Sequence, residues 1–278
     1  MLITGITISL LKIYSSSNPV WFSFKCGEGS SYSPLISKTM AKIKILGSSS
    51  KGNCYILQCK NDILIIELGV NWENIIKALD YGRDINKVVG CIVTHKHLDH
   101  SRSIPQATKH RLGVYSCKET AEEFGVKALE AGKKYKIGSF FVMPLAVEHS
   151  CECYAYIIEH KDMGRMLFAT DLMYFPYKIK DVNHFLIEAN YDEDILIDNH
   201  INAEEGQSSP ENHMSIDDCI GAIELNYSPS LQNIVLIHLS GTNADAERFK
   251  ERVSSEFATD NVFVAEKGLE IELKENEF

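Results

Sequence analysis

The sequence predicts an α/β chain built as an αββα sandwich: two mixed sheets packed face to face and flanked by helices. Three observations predict it. Strand-length apolar runs recur from residue 43 almost to the end of the chain. Helical stretches fall between and after groups of strands rather than alternating with them one for one. With 278 residues and 45% hydrophobic content, the chain can bury one large core or two small ones, and α/β chains of this length are often one domain.

Strands are expected near 43–47, 54–59 and 62–67, then a helix near 71–80. The apolar run Val88-Val89-Gly90-Cys91-Ile92-Val93 follows as a strand, and a helix is expected near 118–125. Strands near 140–147, 153–159, 165–170 and 184–189 come next. Ser215 can cap a helix reaching about Leu225, with Asp217 and Asp218 in its first turn, where a helix dipole favours negative charge. A strand at 233–238, a helix from about Ala244 to Glu256 and two short strands complete the order.

Residues 1–39 read differently. Ile3 to Tyr14 is apolar, yet it lacks a basic start and a small-residue cleavage site, and it is too short to span a bilayer. Met40-Ala41-Lys42-Ile43 makes a natural start for the first strand, so 1–39 is expected to be a poorly ordered extension or a misassigned start, and 40–278 the functional domain. No membrane segment is expected. The eight cysteines, mostly set in apolar runs, fit reduced, buried thiols and a cytoplasmic protein better than a disulfide framework.

The strongest chemical signal is Thr94-His95-Lys96-His97-Leu98-Asp99-His100-Ser101, three imidazoles and a carboxylate directly after a strand. These are the donors that zinc and its borderline neighbours prefer. His95 and His97, two apart, point to one side of an extended segment, while Asp99 and His100 turn toward a second position. Further donors stand just past later runs: His149 after Phe140–Val147, Asp171 after Met166–Thr170, and His238 after Ile234–Ile237. They supply a third imidazole for one ion, a carboxylate able to bridge both, and an imidazole for the second. Cys151-Glu152-Cys153 lies close to His149, but it lacks the second cysteine pair of a structural zinc site.

In that order, these donors resemble the metallo-β-lactamase superfamily, over about Ile43 to Ile271. Within it, Leu46-Gly47-Ser48-Ser49-Ser50-Lys51-Gly52-Asn53-Cys54-Tyr55, Glu188-Ala189-Asn190-Tyr191, Asn212-His213-Met214-Ser215 and Ile237-His238-Leu239-Ser240-Gly241-Thr242-Asn243 are similar to stretches of the YycJ/WalJ-like exonuclease branch. The stretch around His213 is also similar to one in ribonuclease Z. The resemblance implies the αββα fold and two divalent ions, zinc foremost, with manganese or iron accepted by the same donors. It assigns His95, His97 and His149 to the first ion, Asp99, His100 and His238 to the second, and Asp171 to both. The chain departs from the pattern at Glu67, where the superfamily has Asp orienting the histidine loop from behind the ligands, at Asn212 for Gly, and at Tyr191 for His.

Two such ions activate a shared water for attack at neutral pH, with Asp99 a candidate to take its proton. His213, before a helix in a polar stretch, is the candidate to meet a scissile phosphate or protonate the leaving group. The expectation is a two-metal phosphodiesterase or nuclease acting on nucleic acid. A hydrolase of a small ester, thioester or lactam and a non-catalytic metal protein remain as alternatives. The net charge of −10 excludes a general nucleic-acid coat, so a polyanion would have to be met by the ions and a local patch drawn from Lys51, Lys96, Lys109, Arg111, Lys133, Lys134 and Lys136.

Overall fold

The computed structural model describes residues 41–202 and 212–274. The expected extension 1–39, Met40, Cys26 and the polar stretch 204–211 lie outside the described residues.

The first sheet contains β1 (Ala41–Gly47), β2 (Cys54–Cys59), β3 (Asp62–Ile66), β4 (Val88–Ile92), β5 (Val114–Ser116), β6 (Lys127–Ala128) and the late strand β14 (Glu270–Leu273), in the order β14-β1-β2-β3-β4-β5-β6. The second contains β7 (Tyr135–Ile137), β8 (Phe140–Val147), β9 (Cys153–His160), β10 (Gly164–Ala169), β11 (His184–Glu188), β12 (Asn233–Ile237) and β13 (Val262–Val264), in the order β13-β12-β11-β10-β9-β8-β7. The helices are α1 (Trp72–Ala78), α2 (Leu98–Ser101), α3 (Ile104–Lys109), α4 (Lys118–Phe124), α5 (Glu193–Asn202), α6 (Ile216–Leu225) and α7 (Ala246–Phe257).

Successive strand residues point to opposite faces, and this alternation sorts the apolar side chains into three layers. Leu64 and Ile66 of β3 meet Met166 and Phe168 of β10, and Val235 and Ile237 of β12, between the sheets. Ile63 and Ile65 turn the other way, onto Ile75 of α1 and Ile104 of α3. Leu167 of β10, Phe185 of β11 and Leu236 of β12 turn outward onto Ile220 of α6 and Phe249 of α7. Each such Leu or Ile removed from water contributes roughly 1.5–3 kcal/mol, and no strand could shift by one residue without exchanging its two apolar faces. The four layers are helix, sheet, sheet, helix, as the sequence predicts.

Strand direction decides where the polar loops gather. β1 and β3 are both antiparallel to β2, and β4 is parallel to β3. In the other sheet β8 and β10 are both antiparallel to β9, while β10, β11 and β12 are parallel. Within each sheet, therefore, the strands that lead into candidate residues share one carboxyl-terminal end, where ligands bind in open α/β sheets.

Ser215 caps α6 as expected, accepting the Asp218 N–H at 3.1 Å. The last expected helix begins at Ala246 instead of Ala244, because Asp245 caps it through the Arg248 N–H at 3.1 Å. The expected strands 62–67 and 233–238 stop one residue early: Glu67 (φ 63) and His238 (φ 56) take left-handed backbone and leave their sheets. β5, β6, β7, α2, α3 and α5 fall outside the sequence expectations. The strands hold only two or three residues each, too few to display a period.

His184 is fully buried, its Nε2–H donating to the Met163 carbonyl at 2.9 Å and its Nδ1 lying 3.0 Å from Asn233 Nδ2. Burial pushes this imidazole down from 6.5 to about 4. Above 6.5 it is neutral both folded and unfolded; below that the unfolded chain takes up a proton that the folded chain refuses until about 4. Stability should therefore fall with pH across that window, this site contributing roughly 3 kcal/mol. Urea unfolding at pH 7 and pH 4.5 should show a smaller pH-dependent loss in His184→Gln than in the parent; an equal loss would remove His184 as the cause.

Candidate metal centre

The loops at the strand ends are held in unusual backbone. Glu67, Asp171 and His238, one or two residues past β3, β10 and β12, all have positive φ (63, 52 and 56). Such geometry is costly for residues with a β-carbon, and its clustering in one place suits a functional site. The loop carrying His95 to His100 is braced from below by residues 67–69. Leu68 N–H donates to the His100 carbonyl and Asn53 N–H to the Asp99 carbonyl, both at 2.8 Å. Gly69 passes so close that a β-carbon there would lie 1.5 Å from the Asp99 carbonyl oxygen, so only glycine fits.

All seven donors of the expected set come together. His97 Nδ1 lies 2.9 Å from His95 Nε2 and 3.2 Å from His149 Nε2, so three ring nitrogens face one point. His100 Nε2 lies 3.1 Å from Asp99 Oδ2 and 2.9 Å from Asp171 Oδ2. His238 Nε2 is 3.5 Å from Asp99 Oδ2 and 3.8 Å from Asp171 Oδ2, completing a second point. Donor atoms of His95, His100 and Asp171 also fall within 4.8 Å of one another, which puts Asp171 between the two.

These residues fit divalent ions. His238 Nε2 is buried without a hydrogen-bond partner, a costly state for a ring nitrogen unless a cation takes its lone pair. Nitrogen and oxygen donors in this mixture suit zinc, manganese or iron. Cys153 Sγ lies 3.6 Å from His95 Nδ1, the ring nitrogen turned away from the point the three histidines share, whereas Cys151 Sγ, 3.9 Å from His97 Nε2, falls within 4.8 Å of donor atoms of His95, His97 and His149.

Buried carboxylates stand behind the second group. Glu67 is fully buried; it accepts the Thr94 N–H at 3.2 Å and lies 3.4 Å from His100 Nδ1. The longer side chain in place of Asp still reaches the histidine loop. Burial raises its carboxyl, with His100 and Thr94 partly offsetting this. Burial likewise pushes Asp99 up, but the neighbouring imidazoles of His100 and His238 prevail and hold it well below the usual carboxylate range.

Glu188, also fully buried, has a role that the sequence expectations do not cover. Its Oε1 accepts His213 Nδ1–H at 2.7 Å and lies 3.3 Å from His238 Nδ1, while Oε2 accepts the Leu172 N–H at 3.1 Å. One carboxylate thus orients a candidate metal ligand, the candidate catalytic histidine and the peptide after Asp171. The signal available in sequence was a glutamate closing an otherwise apolar strand, Phe185-Leu186-Ile187-Glu188. His213 stacks on His238 with centroids 5.3 Å apart and lies 3.7 Å from Asp171 Oδ1. Burial lowers its imidazole, but the bond and charge of Glu188 outweigh this and raise it above 6.5.

The group opens into a cavity of about 960 Å³. His97, Asp99, His149, Asp171, His213 and His238 line one part of it. Of the seven cations considered for a local patch, Lys51 alone lines it. Lys96 is paired with Glu119 at 2.6 Å, Lys133 with Glu130 at 3.4 Å, and Lys134 with Glu159.

Fold and donor set together define a protein of the metallo-β-lactamase fold. Among solved structures the chain is similar to the metallo-β-lactamase-fold protein YhfI of Bacillus subtilis, with TM-score 0.67 and 17% identity over 84% of this chain and 99% of that one. Among curated proteins it is similar to the exodeoxyribonuclease WalJ of Streptococcus pneumoniae, 24% identical over 173 residues, and to the exodeoxyribonuclease YycJ of Bacillus anthracis, 26% identical over 170. These matches cover 56% and 55% of this chain and 64% of each relative. No family model matches. Among the described residues no helix is long and apolar enough to cross a membrane.

Two predictions follow from the donor geometry and the Gly69 contact. Purified chain, stripped and reloaded with zinc or manganese, should take up two equivalents by atomic absorption, and chelation should lower its melting temperature. Gly69→Ala, by displacing Asp99, should reduce uptake and lower the melting temperature in the loaded state; normal uptake would show that the loop does not need this contact.

Proposed function

We propose that the chain is a metal-dependent hydrolase that cleaves phosphodiester bonds in nucleic acid, in the manner of an exonuclease, with two divalent ions. The observation that carries the reading is His213 held at 2.7 Å by the buried Glu188 beside the seven donors. Three of these donors, His95, His97 and His149, would hold the first ion. Asp99, His100 and His238 would hold the second, with Asp171 shared. When bound, such ions supply Lewis acidity and a water made nucleophilic at neutral pH.

The remaining chemistry belongs to side chains. Because Glu188 takes the Nδ1–H of His213, the ring is locked in one orientation and Nε2 is left for the substrate. Glu188 also favours the imidazolium, whose Nε2–H can donate to a phosphoryl oxygen from the cavity wall or pass its proton to the departing alkoxide, leaving the neutral ring; a phosphodiester with a poor leaving group needs that step. Asp99, at the junction of the donors, can accept a proton from the attacking water. Glu67 keeps the Thr94–His100 segment in register with the other ligands, so that the two groups stay in reach of one substrate atom.

The names of the WalJ and YycJ relatives, both exodeoxyribonucleases, support a nucleic-acid substrate for this chain as well. The cavity wall supports it too: serine, threonine and asparagine side chains and one lysine suit a hydrophilic anion better than a lactam or an acyl thioester. The unpaired thiols Cys54, Cys59, Cys91, Cys117, Cys151, Cys153 and Cys219 agree with work in the cytoplasm.

The test is hydrolysis of bis(p-nitrophenyl) phosphate and of end-labelled single- and double-stranded DNA and RNA with zinc or manganese. His213→Ala and Asp99→Ala should each lose at least about a hundredfold in kcat, and Glu188→Gln a smaller amount. Absence of cleavage by protein carrying both metals would overturn the nuclease reading and turn the search to small esters and thioesters. Full activity in His213→Ala would remove that residue from the mechanism.

A further inference from the structure

The metal donors and His213 occupy only part of the cavity. Its other part is formed by two loops, one joining β1 to β2 and contributing Ser50 and Lys51, the other following β12 and contributing Ser240, Gly241 and Thr242. About 960 Å³ is near the upper limit for a small-molecule site and leaves room beyond one reacting phosphate.

Both loops are tied to the ligands of the second group. Ser48 Oγ accepts the His238 N–H at 2.9 Å and shares a 2.8 Å hydrogen bond with the hydroxyl of the buried Tyr55. Asn53, fully buried, donates from Nδ2 to the Ser49 carbonyl at 3.1 Å and lies 3.3 Å from Asp99 Oδ2. Gly52 N–H closes the turn onto the Ser49 carbonyl at 2.9 Å. On the opposite side Ser240 N–H donates to the Asn190 carbonyl at 2.8 Å, and Ser240 Oγ accepts the N–H groups of Thr242 and Asn243 at 3.3 and 3.2 Å. Asn199 Nδ2 donates to the Thr242 carbonyl at 2.9 Å. The loops are therefore set before any ligand arrives, which lowers the entropy cost of binding.

Lys51 projects from the first of these loops. It is exposed, it is the one Lys or Arg on the cavity wall among the described residues, and no carboxylate there pairs with it. In a chain of net charge −10, an ammonium that pairs with no carboxylate among the described residues, held on a fixed turn beside two hydroxyl-bearing loops, has the chemistry of an anion subsite. Among the described residues the wall carries no aromatic side chain apart from the histidines, and Leu239 is the one aliphatic member, so these residues offer no platform on which a base could stack.

We propose that the loops carrying Lys51 and Ser240 form a subsite for a second phosphate of the substrate, next to the scissile one and on the side of the second ion. The substrate would be a nucleic-acid strand gripped by successive backbone phosphates, without regard to base. This rests on the phosphodiesterase reading. Lys51 is a binding residue for the flanking phosphate, so its loss should act on KM far more than on kcat.

The experiment compares thymidine substrates with the metal-loaded parent, Lys51→Ala and Lys51→Arg. TpT carries one phosphate, TpTpT two internal ones, and pTpT and TpTp one internal and one terminal. The parent should favour the two-phosphate substrates. Lys51→Ala should raise KM for TpTpT about tenfold more than for TpT, and Lys51→Arg should recover most of the difference. Preference for TpTpT, whether alone or shared equally with pTpT or TpTp, would support a subsite that takes a flanking backbone phosphate; preference for pTpT or TpTp over TpTpT would assign it to a terminal phosphate and overturn the grip on successive backbone phosphates.

Binding supplies a readout that does not need turnover. With a fluorescent phosphorothioate trithymidylate, Lys51→Ala should weaken the complex and reduce the slope of log K against log salt by about 0.7. A parent that cleaves TpT and TpTpT with equal KM, or a Lys51→Ala variant that keeps the preference and the salt slope, would overturn the subsite. Weakened binding in Lys51→Ala together with no cleavage of any phosphodiester would leave the subsite standing and overturn the phosphodiesterase reading.

Discussion

The structure turns on the burial of acidic side chains among imidazoles at one end of two sheets. Glu67 and Glu188 are fully buried and Asp171 nearly so, at 3% exposure. A carboxylate withdrawn from water costs several kcal/mol unless charge and hydrogen bonds replace its hydration. Here the replacement comes from His100, His213, His238 and the N–H groups of Thr94 and Leu172. The remaining ring nitrogens point inward at two places, and divalent ions are what such an arrangement accommodates. The left-handed backbone at Glu67, Asp171 and His238 is a further cost, carried because these residues must turn sharply off a strand to face one another.

The rest of the fold serves that convergence. Parallel running of β3 with β4, and of β10 with β11 and β12, brings strand ends remote in sequence to the same edge of each sheet. The layer of Leu64, Ile66, Phe168 and Ile237 between the sheets holds those edges in register. A single element can then support two functions: the turn after β1 both clamps the His238 peptide through Ser48 and presents Lys51 to the cavity. Glu188 is the same device at the end of β11, one carboxylate serving His213 and His238 at once.

The order and kind of the main elements were legible in the sequence, because strands such as Phe140–Val147 and helices such as Ile216–Leu225 are long enough to show their period and their caps. So were the seven donors, four of them in His-x-His-x-Asp-His, which has few other uses, and three just past later apolar runs. Strands of two or three residues such as Lys127–Ala128 were not legible, being defined by a neighbour's edge and not by their own pattern. Glu188 lies within a family-like stretch, but its partners lie 25 and 50 residues away, at His213 and His238, and no local spacing reveals them.

By itself, then, the sequence determined the donor chemistry, the alternating faces of the strands and the four-layer architecture, all of which depend on residue type and short-range period. Tertiary structure alone decided which donors share a point, that Asp171 lies between both groups, that Glu188 holds His213, and that Lys51 is the one candidate cation facing the cavity while Lys96 and Lys134 are spent on carboxylates. The physical reason is that charge and hydrogen bonding act over a few ångströms in space, and strand pairing, not chain separation, decides which residues come that close.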